Sequence, residues 1–153
     1  MNLIRATPGE CGAMAAAHLE AFANKAWRED EFEDLLDGEG IYGFLAVDQI
    51  AALGVVLCRV AAGEVEVLTL GVSRAARRRG VGRALMDLAL PVARHMDASQ
   101  AFLEVAVDNG AAIALYDGLG FRKAGVRKAY YDRGPEGFTD ALVMRLDLIA
   151  AAA

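Results

Sequence analysis

Glu104 is the only charged residue in AFLEVAV (101–107), a run that reads as a buried strand with apolar residues on both faces. A carboxylate there costs on the order of several kcal/mol unless it is solvated, paired or protonated. Two readings follow: an ion pair with an arginine at a sheet end, or a general base whose pKa burial raises, acting directly or through water. Tyr116 lies seven residues after Asn109, two turns along one helix face with Ala112 between them. By spacing alone it is a half-buried core tyrosine. The third feature is RRRGVGRAL (77–85), four arginines around Gly80 and Gly82 where a strand gives way to a helix. Backbone N–H groups and the helix dipole bind anions in that setting, and glycine lets a diphosphate approach the backbone. A solvated basic turn is the plainer alternative. The dinucleotide fingerprint G-x-G-x-x-G fails, because Leu85 occupies its third glycine position. The loop G-x-x-x-x-G-K followed by Ser or Thr is absent.

These residues need elements to hold them. NLIRA (2–6) reads as a strand, and Thr7-Pro8 supplies a capping side chain and first-turn proline for an Ala-rich helix over 8–22. A second helix over 27–37 carries Phe32, Leu35 and Leu36 on one side and acids on the other, and ends at Gly38. Strands at 41–47 and 50–60 join at Asp48-Gln49, and a third runs over 64–72. From Gly80 to His95, Val81, Ala84, Leu85, Leu88 and Val92 recur at helical spacing, with Pro91 expected to bend the helix. The strand bearing Glu104 comes next, then a helix over 109–120, then strands near 121–129 and 138–147 around the loop YYDRGPEG. The order is that of an α/β fold, a mixed central sheet flanked by helices.

The chain's 153 residues fit one domain over 1–149, with 150–153 read as a frayed tail. No apolar run approaches the ~20 residues of a membrane span, and the start does not read as a signal peptide. Cys11 and Cys58 belong to no metal-ligand spacing; two reduced thiols point to the cytoplasm. The net charge of −5 is unevenly divided: residues 1–70 carry 12 acids and 4 bases, residues 71–153 carry 9 and 12. Five arginines fall in 74–83 and five further bases in 122–133. Without aromatics interleaved among those charges, a small polyanion is a better ligand than nucleic acid. Two serines, two histidines and no nucleophile elbow leave little for a hydrolase, and nothing supports a metal enzyme.

Arg77-x-x-Gly80-x-Gly82 resembles the pyrophosphate-binding motif of the GNAT acetyltransferase superfamily. Downstream, LEVAVDNGAAIALYDGLGFRKAGVRKAYY (103–131) resembles that fold's second half in its bacterial ribosomal-protein alanine N-acetyltransferase branch. The shared features are L-E-V, Asn, small residues, L-Y-x-x-x-G-F and G-x-R-x-x-Y-Y. The resemblance implies a GNAT-like acyl-CoA N-acyltransferase fold, acetyl-CoA as co-substrate and no metal. It makes Glu104 the proton acceptor and Tyr116 the proton donor to the departing thiolate. It assigns the pantetheine arm to Asn109, with room left by Gly110, Ala111 and Ala112, and to the backbone of Leu70, Gly71 and Val72. The pyrophosphate falls to Arg77, Arg78, Arg79, Gly80, Val81 and Gly82, and a 3′-phosphate to Arg83. Tyr130 and Tyr131 border a peptide groove, with Trp27 as its opposite wall or, equally, a core anchor.

An α-amine with pKa near 7.7–8.0 costs roughly 1 kcal/mol to deprotonate at pH 7, a lysine roughly 4–5. One modest carboxylate base therefore suits a protein N-terminus, and the acids at 29–39 would attract a basic polypeptide such as a ribosomal protein. The expected activity is N-terminal acetylation by direct attack in a ternary complex. A small-amine or lysine acetyltransferase and a non-catalytic acyl-CoA-binding module are the alternatives. Ala106 stands where the branch usually has arginine, and Ala26 where proline commonly precedes the tryptophan. Both departures fall on the substrate side.

Overall fold

The computed structural model describes residues 1–49 and 51–148; the tail expected at 150–153 and the first residue of the strand expected at 50–60 lie outside the described residues. Alternating and continuous apolar runs form β1 (Asn2–Arg5), β2 (Ile41–Val47), β3 (Ala52–Ala61), β4 (Glu64–Val72), β5 (Gln100–Ala106) and β7 (Phe138–Asp147), while β6 (Arg122–Asp132), charged and largely exposed, pairs with β7 at the sheet edge. The helices are α1 (Cys11–Phe22), α2 (Glu29–Leu36), α3 (Val81–His95) and α4 (Gly110–Gly118). The strands make a seven-stranded sheet among the described residues, in the order β1-β2-β3-β4-β5-β7-β6. The β4–β5 pair is parallel and its neighbours are antiparallel, giving the expected mixed sheet.

Each face of the sheet has its own core. Tyr42, Cys58, Val67 and Leu103 pack with Leu85, Met86 and Ala89 of α3 and with Tyr116 of α4. On the other face Leu45, Val55 and Leu57 meet Met14 and Ala17 of α1 and Phe32 of α2. Strands buried on both faces lose the polar alternation of a half-exposed sheet, which is why β2 and β3 read as continuous apolar runs.

The ladder between β4 and β5 holds only Glu64–Gln100, Val65–Ala101 and Glu66–Phe102. An extra residue in β4, Leu68, interrupts its pairing with β3, where Leu57 faces Thr69 and Cys58 faces Val67. Such a bulge bends its strand. Beyond it β4 stays on β3 through Val72 while β5 follows β7, so the two parallel strands part.

Several sequence-based boundaries shift. Thr7 makes no side-chain capping bond: a 3-10 turn at Pro8–Glu10 comes first, and α1 starts at Cys11. The Ala51 N–H donates to Asp48 Oδ1 at 2.8 Å, and β3 starts at Ala52. Helix α3 continues through Pro91 to His95. Tyr130, Tyr131 and Asp132, expected in a loop, belong to β6, which bulges between Arg127 and Tyr131 with Ala129 at φ +50°.

His18 of α1 is 2% exposed. Its Nδ1 accepts from the Trp27 N–H at 3.0 Å, so Nε2 carries the hydrogen and donates to Thr69 Oγ1 at 2.9 Å. Burial lowers its pKa from 6.5 to about 4. As pH falls the unfolded chain therefore takes up the proton first, and the stability this group contributes above pH 6.5 is lost as pH drops toward 4. Urea unfolding at pH 5 is expected to show about 2 kcal/mol less stability from this residue than at pH 7. That decrement should be missing in His18→Asn.

Candidate functional site

Where β4 and β5 part, a cleft of about 680 Å³ opens between the end of α1, the splayed end of β4, the start of α3 and one face of α4. Its walls include Leu70, Gly71 and Val72 from the strand, Arg77, Arg78, Gly80, Val81, Gly82 and Arg83 from the basic loop, and Asn109, Ala112 and Tyr116 from the last helix. The tertiary structure thus gathers three segments that the sequence had marked separately. Arg79 is the exception: it does not line the cleft. Ala21 and Phe22 do line it. Phe22 was missed, although a large apolar residue at a helix end is a visible signal.

The loop's backbone is shaped for a ligand. Arg78 and Gly80 are left-handed, at φ +64° and +75°. The first intrahelical bond of α3 runs from the Ala84 N–H to the Gly80 carbonyl at 3.0 Å. The N–H groups of Val81, Gly82 and Arg83 are therefore the unpaired donors of a helix start, at its positive dipole end. No side chain caps them. A Cβ at Gly80 would meet nothing within 4 Å, so this edge is open. At Gly71, by contrast, a Cβ would lie 2.8 Å from Phe22 and 3.1 Å from Ala21, so glycine there lets the end of α1 close on the strand. The bulge in β4 is at Leu68 rather than at Gly71.

The arginines divide their work. Arg77 reaches the Ala21 carbonyl at the end of α1 (3.4 Å), and Arg83 pairs with Asp87 one turn on (3.4 Å). Asn109 caps α4, its Oδ1 accepting from the Ala112 N–H at 3.2 Å. Tyr116 is 7% exposed, its ring edge-on to Phe121 at 5.9 Å. Burial, then the neighbouring Tyr131, raises its pKa well above the ordinary phenol value, so the hydroxyl keeps its proton at neutral pH. Cys11 and Cys58 are free, buried and absent from the cleft walls; burial pushes Cys58 up to about 12, which removes it as a thiolate nucleophile.

Glu104 is elsewhere. Leu103 and Val105 point into the core beneath α3 and α4, so Glu104 takes the opposite face by the two-residue period of the strand. There it lines a groove of about 330 Å³ with Glu66, Phe102 and Arg127. Its carboxylate pairs with Arg127 at 2.7 Å, its side chain 21% exposed. The surroundings expected of a base buried among apolar groups are therefore corrected: the ion-pair reading describes them, because β6 carries Arg127 across β7 to this point. Tyr130 completes the cluster. Its ring lies 5.3 Å from the Arg127 guanidinium, and the neighbouring Glu104 carboxylate raises its pKa. Tyr131, half-buried, packs edge-on against Tyr130 at 5.1 Å, and burial, then Glu104, raises its pKa. Neither tyrosine lines the groove or the cleft; both neighbour Glu104, and Tyr131 also neighbours Tyr116.

Trp27 lines neither cavity. It stacks on His18 at 5.0 Å and tilts against Phe32 at 5.4 Å, which makes it a core anchor of the loop between α1 and α2. That loop still reaches the tyrosines, because Lys25 Nζ donates to the Asp132 carbonyl at the end of β6. Arg133 and Asp108, which sequence reasoning did not single out, form a two-pronged ion pair at 3.0 and 3.1 Å between the β6–β7 turn and the loop before α4.

Residues 12–121 match the family model described as Acetyltransferase (GNAT) family. The chain is 31% identical over 135 residues to the [Ribosomal protein bS18]-alanine N-acetyltransferase of Escherichia coli (strain K12), covering 88% of this chain and 90% of that one. It is 43% identical over 84 residues to the N-alpha-acetyltransferase RimI of Mycobacterium tuberculosis, covering 55% and 49%. Among solved structures, the ribosomal-protein-S18-alanine N-acetyltransferase from Escherichia coli superposes with a TM-score of 0.87 at 27% identity, covering 96% and 93%.

Gly80 and Gly110 separate conformation from space, since a Cβ at either meets nothing within 4 Å and only Gly80 has a positive φ. Gly80→Ala is expected to lower stability by about 1 kcal/mol in urea unfolding. Gly110→Ala, at a helix start with ordinary φ, should be neutral or stabilising by a few tenths.

Proposed function

The chain belongs to the acetyltransferase (GNAT) family and is an acetyltransferase, and from that premise we propose that it moves the acetyl group of acetyl-CoA onto the N-terminal α-amine of a protein, with a basic ribosomal protein as the favoured acceptor. The observation that carries the reading is the parting of β4 and β5, with a proton-bearing phenol on one side of the sheet and a carboxylate on the other. The similarity to relatives named for acting on ribosomal protein bS18 supports the choice of acceptor.

The cleft fits the proposed co-substrate. Its free helix-start N–H groups suit a pyrophosphate, its small residues Ala111 and Ala112 leave width for a flexible arm, and the β5-facing backbone edge of β4 beyond Glu66 lacks ladder partners. Acetyl-CoA, when bound, supplies an acyl group activated as a thioester. Val81, Gly82 and Arg83 would hold its phosphates through their N–H groups, with Arg78 beside them, while Leu70–Val72 offer backbone hydrogen bonds to its amides.

Glu104 would take the proton that the amine nitrogen sheds as it bonds to the acyl carbon, directly or through a water in the groove. The acceptor's ammonium and Arg127 compete for that carboxylate, so the groove is set to receive a cationic N-terminus. Tyr116 would give its phenolic proton to sulfur as the carbon–sulfur bond breaks. The burial that raises the phenol also raises a thiol in the same place, which keeps the transfer between partners of comparable affinity for the proton. Cys58 and Cys11, the first residue of α1, are both buried and absent from the cleft walls, so attack by the amine in a ternary complex needs no covalent acetyl-enzyme.

Tyr116→Phe is expected to lower kcat by tenfold or more with little change in acetyl-CoA affinity; equal turnover would remove the tyrosine from this role. Glu104→Gln should flatten the rise in rate with pH, and an unaltered profile would make water or another group the base. The decisive assay uses peptides with free N-termini against N-blocked peptides containing lysine, read by mass spectrometry. Acetylation of the free α-amines is expected, and modification confined to the blocked set would sink the N-terminal reading.

A further inference from the structure

His18 belongs to no motif, and the transfer chemistry does not use it. Yet it joins three elements that bound the site. Its two nitrogens bond the Trp27 N–H and Thr69 Oγ1, and Thr69 directly follows the bulged residue where β4 leaves β5. Its ring tilts against Phe22, at 4.4 Å, and stacks on Trp27, at 5.0 Å. Phe22 lines the cleft, and Trp27 belongs to the loop that reaches Asp132, beside Tyr131, through Lys25.

The loop has little of its own to hold it. It begins at Ala23 with φ +52°, makes one 3-10 turn over Ala23–Lys25 and extends at Ala26 before α2. Its register against the sheet is therefore decided by what Trp27 bonds to. A neutral imidazole meets that need because it offers one acceptor and one donor on a flat ring that fits an aromatic stack.

We propose that His18 is a positioning residue for the acceptor: it holds the loop over 23–28 against the splayed end of β4, and so sets the wall that faces Tyr130 and Tyr131. The proposal rests on the reading that the acceptor enters beside that tyrosine pair. The loop touches the acceptor side rather than the phosphate loop, so its release raises the peptide KM and spares both acetyl-CoA binding and the proton donor.

The test uses four variants. His18→Phe keeps the stack and removes both bonds; His18→Asn keeps an acceptor near Nδ1; His18→Gln keeps a donor near Nε2; Thr69→Val removes one partner with almost no change of shape. Peptide and acetyl-CoA are varied separately in steady-state assays. Trypsin cleavage after Lys25 and the emission of Trp27, the sole tryptophan, report the loop without turnover. His18→Phe is expected to raise the peptide KM tenfold or more, with kcat and the acetyl-CoA KM within about threefold, and to speed cleavage after Lys25. His18→Asn should recover most of the peptide KM, and Thr69→Val should show a smaller version of the same change in a normally folded protein. A fall in kcat with unchanged peptide KM, or equal cleavage rates in all variants, overturns the proposal. If the wild type leaves peptide α-amines unmodified, the acceptor reading falls separately. Faster cleavage and shifted Trp27 emission in His18→Phe would then still sustain the loop-holding role, and their absence would end it.

Discussion

Three residue pairs of parallel ladder join β4 to β5, and the cleft opens where that pairing stops. A continuous parallel pair would satisfy the backbone edge of β4 internally and close the sheet between its two faces. The extra residue at Leu68 prevents this by turning the strand while it stays bonded to β3. The unpaired edge costs free energy if it is buried dry, so a ligand that offers amides, or water, must meet it. The cleft beside that edge, with α3 starting at its mouth, follows from the same bend.

The two faces of the sheet then acquire different electrostatic characters. On the face of α3 and α4, helix-start N–H groups and the arginine loop make an anion-seeking surface, and Tyr116 sits in the adjoining core with its proton retained. On the other face Glu66 and Glu104 are met by Arg59 and Arg127. One side is suited to phosphates and the other to a cationic amine, and the strand gap is the short path between them. The uneven division of charge along the chain, acidic before Val72 and basic after it, is folded into this arrangement.

Much of the layout was legible because it rests on local rules. The period change after Ser73, the glycine pair opening a helix and the lone acid in an apolar strand are each consequences of short-range geometry, and each reappears in the structure. What was misread also has local causes. Thr7 has the side chain of a cap, but its helix opens with a 3-10 turn that moves the first α-helical residue to Cys11. Tyr130 and Tyr131 open the stretch YYDRGPEG, which reads as a loop, whereas a bulge at Ala129 carries β6 through to Asp132.

The amino-acid sequence by itself determined the order of elements, the basic glycine loop at a helix start and the lone acid in an apolar strand, because periodicity, backbone freedom and side-chain chemistry act over a few residues. Only the tertiary structure decided which groups meet. Glu104 met Arg127 because two strand pairings separate them, and Arg79 stayed outside the cleft because the loop turns at Arg78 and Gly80. His18 became a junction because Thr69, 51 residues away, is brought to it by the sheet. Hydrogen bonds across such distances depend on strand register and on the bend at Leu68, which emerge when the two cores pack against one sheet and cannot be read from any short stretch of chain.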